Sequence, residues 1–91
     1  MALTTTAYTL GPTYTEVFEN TGAETLHIIV TARFGYSLRW VLAASPPDDD
    51  VNTYHFVPAV STVSIPVPPS ALLYLKADGH EAAAATVTSY T

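Results

Sequence analysis

Short runs of alternating apolar and polar residues make up most of the chain. The strongest covers residues 24–34, where Leu26, Ile28 and Val30 fall on one face of an extended strand. Because Ile29 on the opposite face is apolar as well, we expect this strand to lie in the middle of its sheet.

Similar runs recur at fairly even spacing between breaks rich in Pro and Gly, and none of them has a capped helical period. Within residues 13–19, the alternation places Glu16 and Phe18 on the same face. Such spacing is typical of an all-β sandwich or barrel. The pattern predicts a single domain over residues 1–91, an antiparallel, jelly-roll-like β-sandwich of seven or eight short strands. The other predicted strands cover residues 4–10, 13–19, 38–44, 54–57, 60–67, 71–77 and 82–90.

The breaks between these runs predict how the strands are connected. Asn20-Thr21-Gly22 and Asp78-Gly79 are typical of tight hairpin turns, with Gly22 at a position of positive φ. Residues 34–37 predict either a hairpin turn or a bulge within one long strand. Pro66 predicts an edge strand, because proline donates no hydrogen bond to a neighbouring strand.

The composition changes the picture, because charged residues make up only 12% of the chain while hydrophobic residues make up 48%. Surfaces of soluble single domains usually carry about 25–35% charged residues. We therefore expect part of this surface to be covered by copies of the same chain or by a larger assembly.

The charge balance narrows the choice of partners. The net charge is −5, and the basic residues Arg33, Arg39 and Lys76 are scattered along the sequence. A nucleic-acid or anionic-membrane surface needs clustered Lys and Arg, so we expect neither partner. The absence of Cys excludes disulfides and thiolate ligands within these residues. The first residues have no basic start and no apolar core of a secretory signal, which favours synthesis in a cytoplasm without classical export.

The densest group of oxygen ligands is Asp48-Asp49-Asp50, with Asn52 close behind. Calcium loops place their carboxylates at alternate positions and add a Gly and a distal Glu, none of which is present here. We expect a solvated loop tip, with Asp48, Asp49 and Asp50 available for surface contacts. His27, His55 and His80 are widely separated and have no metal-binding spacing. The sequence therefore predicts no metal and no cofactor.

Catalytic signatures are missing as well. There is no G-x-S-x-G elbow, no glycine-rich phosphate loop, and too small a domain for a deep glycosidase cleft. The sequence predicts a protein that is not an enzyme.

Aromatic residues are numerous for so small a domain, and Tyr and Trp are favoured at interfaces and sugar platforms. We expect Trp40 and Tyr74 to lie in the core or at its rim. Tyr36, beside a turn, and Tyr54, beside the acidic loop, are the better surface-contact candidates. A carbohydrate- or receptor-binding β-sandwich, with Tyr36, Tyr54 or Trp40 as its stacking platform, remains open as the alternative function.

A family resemblance adds a more specific expectation. The run Glu19-Asn20-Thr21-Gly22-Ala23-Glu24, the Ala-Ser-Pro-Pro loop and the segment over residues 69–77 resemble small all-β proteins encoded in tailed-phage structural gene clusters. The chain departs from them in its aromatic strand over residues 34–42 and in lacking the usual glycine before the strand at Val60. The resemblance implies a virion protein, a capsid decoration, fibre or adaptor component, often trimeric. Its partners would be copies of itself and capsid or tail proteins.

Overall fold

The structure, a computed structural model, describes residues 3–32, 37–48, 54–78 and 83–90. These residues form two antiparallel sheets of four strands each. Sheet A has the strand order β1-β8-β3-β6, and sheet B has the order β2-β7-β4-β5. The strands are β1 (Leu3–Leu10), β2 (Thr15–Glu19), β3 (Leu26–Ala32), β4 (Leu38–Ala43), β5 (His55–Val57), β6 (Thr62–Val67), β7 (Leu72–Ala77) and β8 (Ala83–Tyr90).

This strand order is that of an eight-stranded jelly roll. Consecutive strands alternate between the two sheets except for β4 and β5, which are neighbours in sheet B. The predicted fold class, an antiparallel and jelly-roll-like β-sandwich, is confirmed. The predicted middle position of β3 and edge position of the Pro66 strand, β6, are confirmed as well.

The core lies between the inner faces of the two sheets, where the alternating apolar positions meet. Burying one Leu, Ile or Val side chain stabilises the fold by about 1.5–3 kcal/mol. The buried core residues are Leu10, Ile28, Val30, Ala32, Leu38, Val57, Ile65, Val67, Leu73, Leu75, Ala77, Ala83, Ala85 and Val87.

Both predicted hairpins are wrong, because the strands on either side of each break belong to different sheets. Asn20-Thr21-Gly22 leads from β2 in sheet B to β3 in sheet A, and Asp78 follows β7 in sheet B before β8 begins in sheet A. Gly22 does not adopt the left-handed backbone conformation that the predicted turn requires. Residues 33–36 lie outside the described residues. Because β3 and β4 are in different sheets, these two strands are not parts of one long strand.

The predicted face of Phe18 is also wrong, because β2 contains a bulge. The pairing of β2 with β7 shifts between Glu16 and Phe18, so that Glu16 lies opposite Tyr74 and Phe18 lies opposite Leu73. The extra residue turns Phe18 toward the core, while Glu16 stays on the outer face.

Asn20 joins the two sheets at the corner between β2 and β3. Its side chain is fully buried: Nδ2 donates to the carbonyl oxygens of Glu24 and Val67 at 2.7 and 2.8 Å, and Oδ1 accepts from the N–H of Gly22 at 3.0 Å. Its backbone N–H donates to the carbonyl of Ala71 at 3.1 Å. This corner therefore holds the ends of β2 and β6 and the approaches to β3 and β7 in one hydrogen-bonded unit.

Two turns place a non-glycine residue at positive φ. Val60 has φ 56° and Ser70 has φ 69°. In each turn the N–H of the next residue donates to the carbonyl three residues earlier, Ser61 to Pro58 and Ala71 to Pro68, both at 3.2 Å. Type II turns have this hydrogen bond and favour Gly at the third position. The glycine that the sequence lacks before β6 is thus replaced by a β-branched residue in a left-handed conformation.

We expect Asn20→Ala to lower the free energy of unfolding by about 3 kcal/mol, because it leaves two carbonyls and one N–H at the corner without their partner. Urea unfolding followed by Trp40 fluorescence measures this loss. Thr21→Ala, at the exposed neighbouring position, is the control and should change the free energy of unfolding by less than about 0.5 kcal/mol. Equal effects of the two substitutions would contradict the role of Asn20.

Candidate assembly surfaces

The outer face of sheet A is made of small neutral side chains. The pairing registers place odd-numbered residues of β1 and β3 and even-numbered residues of β6 and β8 on this face. They are Thr5, Ala7, Thr9, His27, Ile29, Thr31, Thr62, Ser64, Pro66, Ala84, Thr86 and Thr88. None of the four strands of sheet A contains Asp, Glu, Lys or Arg.

Threonine hydroxyls on this face hydrogen-bond to one another. The Oγ1 atoms of Thr5 and Thr88 are 2.9 Å apart, as are those of Thr31 and Thr62. Cross-strand pairs of this kind contribute about 0.2–1 kcal/mol each. Because these hydroxyls already have partners and no ionised group must be desolvated, covering this face with another surface is much less costly than covering a charged one.

The outer face of sheet B, by contrast, contains ionised residues. Arg39 on β4 lies opposite Lys76 on β7, so these two cations, scattered in sequence, are neighbours in space. Arg39 Nε donates to Asp78 Oδ1 at 2.8 Å, and the Ser37 hydroxyl donates to Asp78 Oδ2 at 3.0 Å. The hydrogen bond to Asp78 raises the pKa of the Arg39 guanidinium above its ordinary value. The Arg39 guanidinium also lies 4.2 Å from the centre of the Tyr54 ring.

The second cation of this face is largely buried. Lys76 is 7% exposed, and its Nζ lies 5.1 Å from the centre of the Tyr14 ring. Tyr74, on the same strand and face, is buried, and burial raises the pKa of its phenol, with Glu16 and Glu19 adding to the shift. Arg39 and Lys76 thus each lie over an aromatic ring.

Aromatic side chains continue onto the short edge strand β5. The Trp40 and His55 rings stack with their centres 4.5 Å apart, and Tyr54 meets Phe56 edge to face at 5.2 Å. Phe56 is 51% exposed. Sequence reasoning missed the exposed ring of Phe56. It also missed the Arg39–Asp78 pair, because these positions are 39 residues apart and meet only through the pairing of β4 with β7.

Of the predicted surface-contact residues, the structure describes Tyr54 and Asp48. Tyr54 is half-buried with one ring face against Arg39, and Asp48 is exposed. Tyr36, Asp49 and Asp50 lie outside the described residues. The expectation that Trp40 and Tyr74 lie in the core or at its rim is confirmed: Trp40 packs against the core and Tyr74 is 2% exposed.

In the described part of the chain, no group of three or more His, Cys, Asp or Glu residues is placed to hold a metal ion. No helix among the described residues is long and apolar enough to cross a membrane.

The comparisons with known proteins bear on the fold. The sequence matches no model of a protein family and no curated protein. A solved structure described as belonging to the Bacillus endospore appendages, a family of disulfide-linked pili, is similar to this chain with a TM-score of 0.62 and 12% sequence identity. The match covers 99% of this chain and 85% of that one. The chain therefore shares the fold of that protein.

We expect the buried Tyr74 to make the fold sensitive to alkaline pH. Because its pKa in the folded state is raised above the ordinary value of 10.0, its contribution to stability is fully present below pH 10.0 and is lost as the pH rises through the folded-state pKa. Urea unfolding between pH 8 and 11 should show a falling free energy of unfolding in the wild type and a shallower fall in Tyr74→Phe. Tyr8→Phe, which keeps Tyr74, serves as the control. Identical slopes in all three proteins would rule Tyr74 out as the cause.

Proposed function

We propose that this chain is a non-catalytic structural subunit that assembles with copies of itself. The observation that carries the proposal is the outer face of sheet A, a four-stranded surface without Asp, Glu, Lys or Arg in a protein whose net charge is −5. Exposed β-structure of this composition is a hazard for uncontrolled association unless a specific contact covers it. Symmetric assembly of identical subunits supplies such a contact.

The similarity to a pilus protein supports a polymer-forming role, with one difference in how subunits are held. That protein is described as belonging to disulfide-linked pili, whereas this chain contains no Cys. Contacts between copies of these 91 residues therefore cannot be disulfides, and we take them to be non-covalent. They depend on buried area and on hydrogen bonds between subunits, which the neutral outer face of sheet A can provide.

We place this subunit in a tailed-phage virion, as a capsid decoration, fibre or adaptor component that forms a trimer and contacts capsid or tail proteins. The resemblance of the Glu19–Glu24 run and the following proline loop to tailed-phage proteins supports this placement. A surface appendage, the setting of the pilus neighbour, is the competing one. Addition of the protein to capsids or tails that lack it distinguishes the two, because a virion component binds or stabilises them and an appendage subunit does not.

Carbohydrate binding is the second candidate function, and the exposed ring of Phe56 favours it. Two of the residues expected to form a sugar platform are partly occupied, however. Arg39 lies over one face of Tyr54, and His55 stacks on Trp40. The geometry therefore supports self-assembly better than a stacking platform.

We expect the wild type to form a stable oligomer and Thr86→Lys to weaken it, because Thr86 lies on the outer face of sheet A and a lysine there is desolvated when a second subunit covers it. Light scattering on a sizing column, over a range of concentrations, measures the mass. The concentration needed for assembly should rise about tenfold or more, equivalent to about 1.4 kcal/mol.

Thr13→Lys, at an exposed position between β1 and β2, is the matched control and should assemble like the wild type. A wild type that stays monomeric at every concentration contradicts the proposal. If that monomer also changes its Trp40 fluorescence on adding glycans, carbohydrate binding becomes the better account.

A further inference from the structure

The two sheets have four edge strands, and three of them carry features that block pairing with another chain. Edge strands expose unpaired N–H and C=O groups, and proteins protect them with proline, charge, bulges or short length. The edges are β1 and β6 in sheet A and β2 and β5 in sheet B. Strand β6 contains Pro66, β2 contains a bulge and the carboxylates Glu16 and Glu19, and β5 is only three residues long.

Strand β1 has none of these protections. It is eight residues long, it contains no Pro, Gly or charged residue, and it pairs with β8 without a register shift. The residues from Thr4 to Ala7 are exposed whether they point to the outer or the inner side of sheet A. This half of β1 therefore offers an accessible backbone edge together with small neutral side chains.

We propose that two copies of this chain join edge to edge along β1, in antiparallel orientation around a two-fold axis. The inference rests on the proposed self-assembly and adds a second contact to it: the two-fold contact along β1 joins two subunits and is separate from the contacts that would close a trimer. A second copy is the occupant that fits, because β1 meeting β1 places no charge, proline or bulge at the contact. Backbone N–H and C=O groups of each copy then pair with those of the other, as in peptide recognition by strand addition.

The pleat of the sheet fixes which residues meet. Residues directly opposite in an antiparallel pair point to the same face, so a two-fold axis perpendicular to the sheet must place one residue opposite itself. We place Thr6 at this axis, within the exposed stretch, with Thr5 opposite Ala7 of the second copy. The two sheets A then form one eight-stranded sheet, and the neutral outer face doubles in width.

Like charges at the axis test this arrangement directly. Thr6→Lys and Thr6→Glu should each weaken the dimer about tenfold or more, because each places two like charges opposite each other. An equimolar mixture should form mixed dimers again, since Lys then faces Glu. Native mass spectrometry counts the mixed dimers, and light scattering measures the affinities. Thr13→Lys and Thr13→Glu, at an exposed position off both β1 and the outer face of sheet A, are matched controls that should dimerise like the wild type.

A single-cysteine variant keeps the test independent of any loss of folding in the charged variants. The chain has no Cys, so Thr6→Cys introduces one thiol and leaves only one possible cross-link between copies. A mild oxidant, which accepts the two electrons released as the disulfide forms, should link Thr6→Cys into covalent dimers. Thr13→Cys, at an exposed position outside both surfaces, should remain unlinked at the same concentration.

Each outcome decides between the alternatives. Loss in both charged variants with recovery in the mixture, together with cross-linking of Thr6→Cys, supports the β1 contact. If Thr6→Lys strengthens assembly while Thr6→Glu weakens it, β1 pairs with an acidic edge such as β2, and the two-fold arrangement is overturned. If Thr6 variants assemble normally while Thr86→Lys does not, the proposed self-assembly stands and the β1 contact is wrong. A wild type that never associates overturns both the proposed self-assembly and the β1 contact.

Discussion

The buried side chain of Asn20 is the interaction on which the joining of the two sheets depends. A jelly roll carries the chain back and forth between its sheets, so its corners must satisfy backbone groups that no ladder reaches. Asn20 does this for the passage from β2 to β3, and its Nδ2 also reaches the carbonyl of Val67 at the end of β6. A buried amide stabilises a fold only when its hydrogen bonds are satisfied. The partners of Asn20 lie at strand ends of both sheets, so this corner fixes the position of sheet A over sheet B.

The same topology separates charge from neutral surface. Arg39, Lys76 and the two carboxylates of β2 all belong to sheet B, whereas the strands of sheet A contain no ionised residue. The aromatic rings of Tyr14 and Tyr54 lie against the two cations. The cations of the charged face therefore have partners within the chain. The outer face of sheet B is thus suited to contact with water, whereas the outer face of sheet A can be covered by another subunit at a small cost in desolvation free energy. Such an asymmetry is expected of a subunit with one face toward its assembly.

The strands and their faces could be predicted from alternation, but the connections could not. Residues 24–34 show a regular period of two, and on the face formed by Leu26, Ile28 and Val30 the last two are fully buried in β3. Asn20-Thr21-Gly22 and Asp78 occupy corners between sheets, and such corners use the same turn residues as hairpins. The bulge in β2 has no signal in its sequence. Because one extra residue reverses every face beyond it, alternation placed Phe18 on the wrong face. Arg39 and Lys76 are neighbours, and β1 is an unprotected edge, because of the strand order. The composition of the chain gives no information on strand order.

Hydrogen exchange measured at low and at high protein concentration tests the central claim, association through sheet A, most directly. The account predicts that amides of β1 exchange rapidly in dilute solution and become protected as the concentration rises, with little change in β2 and β5. Protection that grows in β2 or β5 instead, or exchange that does not depend on concentration, would contradict the account.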